Sequence, residues 1–196
     1  MCPGGYVVNA SSEKNRLAIN GMSNYKRDSK VANSALVVSV TPKDYGEGLF
    51  DGVKFQRELE EKAYELGNGK IPVQKYIDFK NNRETSSFDF MPLTKGSYKS
   101  ANLNLLLPSF LIDAINEAMP SFSKQINCFD KDDSILLGIE SRTSSPITII
   151  RDELGESNIK GIYPVGEGAG YSGGITTSAM DGIKQAENFA KKYIPE

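Results

Sequence analysis

Histidine is absent from the 196-residue sequence. Its absence removes the commonest general base, the Ser-His and Cys-His nucleophile pairs, and the commonest zinc ligand. The two cysteines, Cys2 and Cys128, are too far apart in sequence for a metal-spaced cluster and too few for a disulfide framework. We therefore predict no metal site and a protein of the reducing cytoplasm. Cys2 has no partner at C-x-x-C spacing, so a small buried residue is favoured over a redox role.

Strong charge and long apolar runs are also missing. The formal net charge is -2, and lysine and arginine are scattered among the acids, so the basic patch of a nucleic-acid binder is absent. No apolar run approaches the ~18 residues that a membrane helix needs. The first residues lack the basic and apolar regions of a signal peptide. From these absences we predict that the protein binds neither nucleic acid nor a membrane.

Hydrophobic patterning predicts a chain of both strands and helices. Residues 71–79 are ambiguous, and residues 80–90 are polar enough for a mobile loop. The order of elements favours an α+β fold with a mainly antiparallel or mixed sheet and about three helices. Runs rich in β-branched residues predict strands at 6–10, 16–21, 34–40, 134–140, 146–152 and 159–166. Helical spacing predicts helices over 55–66, over 109–119 with Pro120 interrupting or kinking the helix, and over 175–193.

The last predicted helix follows a glycine-rich turn. Glycines allow positive φ and close backbone approach, and a helix N-terminus offers unpaired N–H groups, so this geometry suits a pyrophosphate. A glycine-rich connection needed only for tight packing is an equal alternative. The helix itself has apolar residues at spacings of four and three, which predict a buried stripe of Ile175, Ala179, Ile183, Ala186, Ala190 and Tyr193.

Seven segments of the sequence match the motifs of a known protein family. The last is "GIYPVGEGAGYSGGITTSAMDGIKQAE", and the upstream segments are "CPGGYVVNASSE", "NGMS", "ANSALVV", "FQRELE", "PVQKYIDF" and "ESRTSSPITIIRD". Together they resemble one family of bacterial FAD-dependent dehydrogenases in the glutathione-reductase-like flavoprotein class, and the last segment resembles the C-terminal cofactor motif of that class. The resemblance implies the C-terminal part of a larger flavoenzyme, whose N-terminal Rossmann-type segment has no counterpart here.

The same resemblance implies a set of cofactor contacts. Glu167 stands where many flavoproteins of the class have Asp, and Tyr171 is either a neighbour of the flavin ring or a packing residue. The residues implied to approach the ribityl-pyrophosphate part of FAD are Gly166, Glu167, Gly168, Ala169 and Gly170. Those implied to open the helix facing the flavin are Gly173, Gly174 and Ile175.

A polar link between two predicted strands is a candidate substrate or cofactor wall. An arginine followed by hydroxyl side chains is suited to carboxylate or phosphate. The alternative is an arginine paired with Glu140 or Asp152, with Ser and Thr forming turns. The candidate residues are Arg142, Thr143, Ser144, Ser145 and Arg151.

By this resemblance the chain contributes to an FAD-dependent oxidoreductase, with residues 1–152 on the substrate side and 153–196 completing the FAD-binding domain, together forming one compact unit. FAD is expected in the full-length protein and not in this chain alone. Expected partners are the N-terminal Rossmann segment, a small-molecule substrate and, as a candidate, NAD(P)H. Exposure of Ile162, Ile175 and Ala179 would favour self-association. The alternative is an independent, non-catalytic interaction module with a flavoprotein-like fold.

Overall fold

The computed structural model describes residues 5–29 and 31–193. The chain divides into two compact units, each of which takes residues from two parts of the sequence. The first unit contains Met1–Thr41 and Phe55–Ser141, and the second contains Pro42–Lys54 and Arg142–Glu196. The predicted α+β class is confirmed, because the strands form mixed sheets with antiparallel pairs and do not alternate regularly with helices.

The described strands of the first unit form two mixed sheets of three strands each. In one sheet, β1 (Gly5–Asn9) pairs antiparallel with β2 (Ile19–Ser23), and Val7 of β1 lies opposite Thr94 in a parallel pairing with β4 (Thr94–Lys95). In the other, β3 (Ile71–Lys75) is central. It pairs parallel with β5 (Tyr98–Ser100) and antiparallel with β6 (Ile135–Leu137).

The three predicted helices are formed, and the described residues contain two further short helices that the periodicity does not predict. The segment 71–79, ambiguous in sequence, contains the whole of β3 and the start of the helix that follows it, which explains its mixed pattern. Of the two effects predicted for Pro120, the interruption is wrong, because the helix continues through it to Ser123, and the kink stays a prediction. The helices are α1 (Pro42–Tyr45), α2 (Asp51–Gly67), α3 (Tyr76–Lys80), α4 (Ser109–Ser123) and α5 (Ile175–Lys192), with a 3-10 turn at Leu103–Leu105.

The core of the first unit lies around β3. The whole of this strand except its last residue is buried, as expected for the central strand of a sheet. The helix α2 contributes one apolar face and ends where Asn68 and Gly69 adopt positive φ angles of 52° and 76°. The buried cluster consists of Leu17, Ile19, Ala63, Ile71, Val73, Tyr76, Phe79, Leu103, Leu106 and Met119.

The polar segment predicted to be a mobile loop is tied to this core at its first residues. Arg83 Nε donates to Asp78 Oδ1 at 2.7 Å, and Thr85 Oγ1 donates to Asp78 Oδ2 at 2.8 Å. The buried Gln74 donates through Nε2 to the carbonyl of Arg83 at 2.7 Å. The polar side chains of residues 81–85 therefore complete a buried hydrogen-bond network. Leaving any of its buried polar groups unpaired would cost free energy of folding.

Three predicted strands are not formed in the described part of the chain. Residues 34–40 and 159–166 belong to no sheet, and the segment 146–152 forms only an isolated bridge between Arg151 and Ser157. Strand formation requires a hydrogen-bonded neighbour, which local β-propensity does not supply. Among the described helices, none has the length and apolar character needed to cross a membrane.

Candidate functional site

The glycine-rich loop before α5 forms a tight turn that requires glycine at two positions. Gly166 and Gly170 have φ angles of 73° and 81°, a region that other residues adopt only with strain. The Gly170 N–H donates to Glu167 O at 2.9 Å, and the Tyr171 N–H donates to Gly166 O at 3.1 Å. A Cβ on Gly170 would lie 2.5 Å from Ile147 O, so this glycine is needed for packing.

Other glycines of the loop are exposed. A Cβ added to Gly168 would meet nothing within 4 Å, and Gly168, Gly173 and Gly174 are all exposed. Gly174 caps α5 without a side chain, and the first N–H groups of a helix have no intrahelical acceptor. The dipole of the helix adds partial positive charge at the same place. This open backbone surface fits a phosphate or another anionic or hydroxyl-rich group.

An ion pair between Arg151 and Asp181 holds the loop against α5. Arg151 Nη2 donates to Asp181 Oδ1 at 2.6 Å and Nη1 donates to Oδ2 at 3.0 Å, and each side chain is 12% exposed. Nη1 also donates to the carbonyl of Pro164 at 2.7 Å. The Gly166 N–H donates to Asp181 Oδ2 at 2.8 Å. One carboxylate therefore joins the segment around residue 151, the loop and the helix.

Asp181 is strongly stabilised in its ionised form. The hydrogen bonds from Arg151 lower the pKa of Asp181 to about 2, and the Gly166 N–H acts in the same direction, while burial opposes both. Arg151 also lies over the ring of Tyr171, with its guanidinium carbon 3.6 Å from the ring centroid. Arg151 is therefore ion-paired with Asp181 and not with either acid named in the alternative for the polar link, Glu140 or Asp152.

Sequence reasoning missed the polar side of α5. Asp181 and the buried Gln185 project toward the loop, and Ser178 Oγ lies 2.6 Å from Ser172 Oγ. With its amide oxygen turned to Arg151, Gln185 accepts from Nε at 3.0 Å. The sequence does carry a signal for this polar face, because polar residues recur at the helical spacing of three, four and three. They are Ser178, Asp181, Gln185 and Asn188.

The apolar side of α5 is exposed instead. Ile175 is 94% exposed and Ile183 is 63% exposed. The predicted burial of this stripe is therefore wrong for this chain, and the expectation that Ile162, Ile175 and Ala179 are exposed is confirmed. The other members of the stripe, Ala186, Ala190 and Tyr193, are exposed as well.

One residue of the predicted polar wall, Ser144, lies near the glycine-rich loop. A Cβ on Gly173 would lie 3.5 Å from Ser144 Oγ, and Arg142, Thr143 and Ser144 are all exposed. Ser145 forms a turn, because its hydroxyl donates to Ile147 O at 2.7 Å. Ser144 thus lies beside the exposed glycines.

The remaining predicted contacts differ in their surroundings. Glu167 is exposed on the loop, whereas Ala169 is buried beneath it and its carbonyl oxygen accepts from the Ile149 N–H at 3.1 Å. The Tyr171 hydroxyl donates to Ile149 O at 3.0 Å, as a packing tyrosine would. Cys2 lies outside the described residues. Within the described residues, no three Cys, Asp or Glu side chains are placed to hold a metal ion.

Comparison with known proteins gives a relative and a family. The chain is 44% identical over 198 residues to an uncharacterised protein of Clostridium beijerinckii, and the match covers 98% of this chain. The chain spans only 37% of the length of that relative. A family model described as "FAD-dependent protein, C-terminal domain-like" matches residues 1–143. The chain therefore belongs to the family of C-terminal-domain-like regions of FAD-dependent proteins.

Proposed function

We propose that the chain is the C-terminal, flavin-facing part of an FAD-dependent oxidoreductase of the dehydrogenase type, in the glutathione-reductase-like class. The observation that carries the proposal is the exposed backbone of Gly168, Gly173 and Gly174 at the open N-terminus of α5. Its geometry suits the ribityl-pyrophosphate part of a flavin nucleotide. The family of the chain supports the same cofactor.

In this proposal the loop residues act in two groups. Gly166, Ala169 and Gly170 shape the turn through positive φ and close packing. Gly168, Gly173 and Gly174 present backbone to the cofactor, with Ile175 opening the helix and Glu167 beside it. Tyr171 and Arg151 support the loop from behind, since the guanidinium stacks on the phenol ring.

The cofactor, when bound, supplies the hydride chemistry. The part of this chain is to bind and orient, with Arg142, Thr143 and Ser144 as a polar wall beside Gly173. An exposed guanidinium followed by two hydroxyls can hold a carboxylate or a phosphate of the substrate or cofactor. A small-molecule substrate and NAD(P)H as electron donor belong to the same proposal.

We place the functional division at residue 152, with 1–152 on the substrate side and 153–196 completing the FAD-binding domain. The partner of the second part is the Rossmann-type segment of the longer polypeptide. The exposed apolar stripe of α5 supports this assignment, because an amphipathic helix in a complete domain buries its apolar face.

The loop can be tested by filling its open space. We would build a chimera in which this chain replaces the matched segment of the Clostridium beijerinckii relative, and measure FAD affinity by flavin fluorescence. Gly168→Leu should weaken binding at least about tenfold, or about 1.4 kcal/mol, because the side chain occupies the approach to the loop. Gly182→Leu is the matched control, since a Cβ there also meets nothing within 4 Å.

Equal affinity in both chimeras would contradict the proposed loop contact. If the unsubstituted chimera and the relative itself bind no flavin, the glycine-rich turn serves packing only. The contacts of Gly170 and the internal pairing of Arg151 would then favour the alternative, a non-catalytic interaction module with a flavoprotein-like fold.

A further inference from the structure

Residues 34–40, "SALVVSV", form an unpaired β-type segment in the first unit. Four of the seven residues are leucine or the β-branched valine, and none is charged or proline. Such a composition is typical of strands. Yet no backbone N–H or C=O of this segment bonds to another described residue.

The side chains of this segment already alternate as in a strand. Leu36 and Val38 are partly buried, and Leu36 packs against the core of the first unit. Val37 between them is 68% exposed. One face is therefore anchored, and the backbone edges have no hydrogen-bonded neighbour among the described residues. Asn33 fixes the start of the segment, since its Nδ2 donates to Tyr6 O at 3.1 Å.

An open edge of this kind is unusual in a finished protein. Edge strands are normally protected by lysine, proline, a bulge or a covering element, because a row of unpaired N–H and C=O groups recruits other strands. The segment 34–40 has no charged residue or proline to protect it. Its apolar, uncharged sequence is typical of a strand that pairs with a neighbour.

We propose that residues 34–40 pair with a β-strand from the portion of the longer polypeptide that lies outside this chain. The inference rests on the proposed function in one respect, namely that the chain works as part of a longer protein. The source of the pairing strand is inferred from the length of the relative. The chain spans 37% of that protein, so most of the longer polypeptide lies outside the match. The mode is strand addition, in which backbone bonds supply the affinity.

Strand pairing gives a pattern of amide hydrogen exchange that differs from the pattern given by mere burial of the segment under another element. Along a strand, successive N–H groups point to opposite edges, so pairing on one edge protects alternate amides only. We would measure hydrogen exchange with residue resolution in this chain and in the full-length Clostridium beijerinckii relative. The amides of β3, which pair on both sides, serve as the protected reference in both proteins.

The proposal expects fast exchange at 34–40 in this chain and alternate amides slowed by about 100-fold or more at the aligned segment of the relative. Uniformly fast or uniformly slow exchange in the relative would overturn it. Protection in this chain alone that grows with concentration would also overturn it, because the partner would then be a second copy.

The flavin content of the same samples separates this inference from the proposed function. A flavin-loaded relative with an unprotected segment would remove the strand pairing and leave the proposed function in place. A protected segment in a relative without flavin affinity would remove the proposed function and leave the strand pairing in place.

Discussion

At the scale of single residues, Asp181 has the most consequential set of contacts in the second unit. It accepts two hydrogen bonds from Arg151 and one from the Gly166 N–H. A partly buried charge of this kind lowers the stability of the fold when it is unpaired. Removing either Arg151 or Asp181 would leave the charge of the other without its partner. The loop geometry that we propose for flavin binding therefore depends on a residue that does not itself face the open side.

We expect Asp181→Asn to destabilise the chain on the order of 2 kcal/mol at neutral pH, because the folded pKa of Asp181 is about 2 and the usual value is about 3.9. For a chain of this size the loss corresponds to a fall in Tm of roughly 4–8 °C. Glu187→Gln, an exposed change on the same helix, is the control and should leave Tm unchanged.

The pH dependence has a definite sign. Because the folded pKa is depressed, the contribution of the Asp181 carboxylate is fully present above the unfolded pKa and is lost as pH falls toward the folded value. The Tm difference between wild type and Asp181→Asn should therefore narrow as pH falls from about 5 toward 3. A difference that stays constant over this range would contradict the assigned role of the ion pair.

At the scale of elements, α5 has its polar face inward and its apolar face outward. Asp181 and Gln185 pack toward the loop, while Ile175 and Ile183 are exposed. A helix with an apolar stripe of this width normally buries that stripe. The arrangement is the one expected of a helix that docks onto a further layer of protein.

The exposed stripe should make this chain associate with itself. We expect sedimentation velocity to show species larger than the monomer as concentration rises, and Ile183→Glu to shift the distribution toward the monomer. Because Ile183 is largely exposed, the change should leave Tm unaltered. Lys184→Glu adds a glutamate off the stripe and is the matched control. A wild-type chain that stays monomeric across a wide concentration range would contradict this prediction.

The elements also show what sequence could and could not predict. The helix periods of α2, α4 and α5 were readable, because helical hydrogen bonds are local. The segment 34–40 has strand composition without strand pairing, because a ladder needs a neighbour that composition does not name. The apolar stripe of α5 likewise predicts a buried face but not which chain covers it.

The candidate site was predictable to a similar extent. The turn glycines were recognisable as a group, although sequence did not separate Gly170, which is needed for packing, from Gly168, which faces open space. The sequence indicates Arg151 as a candidate but not its acidic partner, because Asp181 lies thirty residues away and meets it only in the fold. Long-range pairing of this kind depends on tertiary structure rather than local pattern.

At the scale of the whole molecule, three features of the described residues lack a covering partner among those residues. They are the open glycine backbone before α5, the apolar stripe of α5 and the unpaired segment 34–40. The chain spans 37% of its Clostridium beijerinckii relative, so a longer polypeptide has ample length to cover them. We propose that this longer protein, rather than the chain alone, forms the complete flavin site.

The most direct test of this proposal is an FAD titration of this chain and, in parallel, of the full-length relative, followed by flavin fluorescence and the visible spectrum. We expect the relative to bind FAD stoichiometrically and this chain to show no tight binding, because the loop supplies only one wall of the site. Tight, stoichiometric binding by this chain alone would contradict the two-part site, and binding by neither protein would contradict the flavin assignment itself.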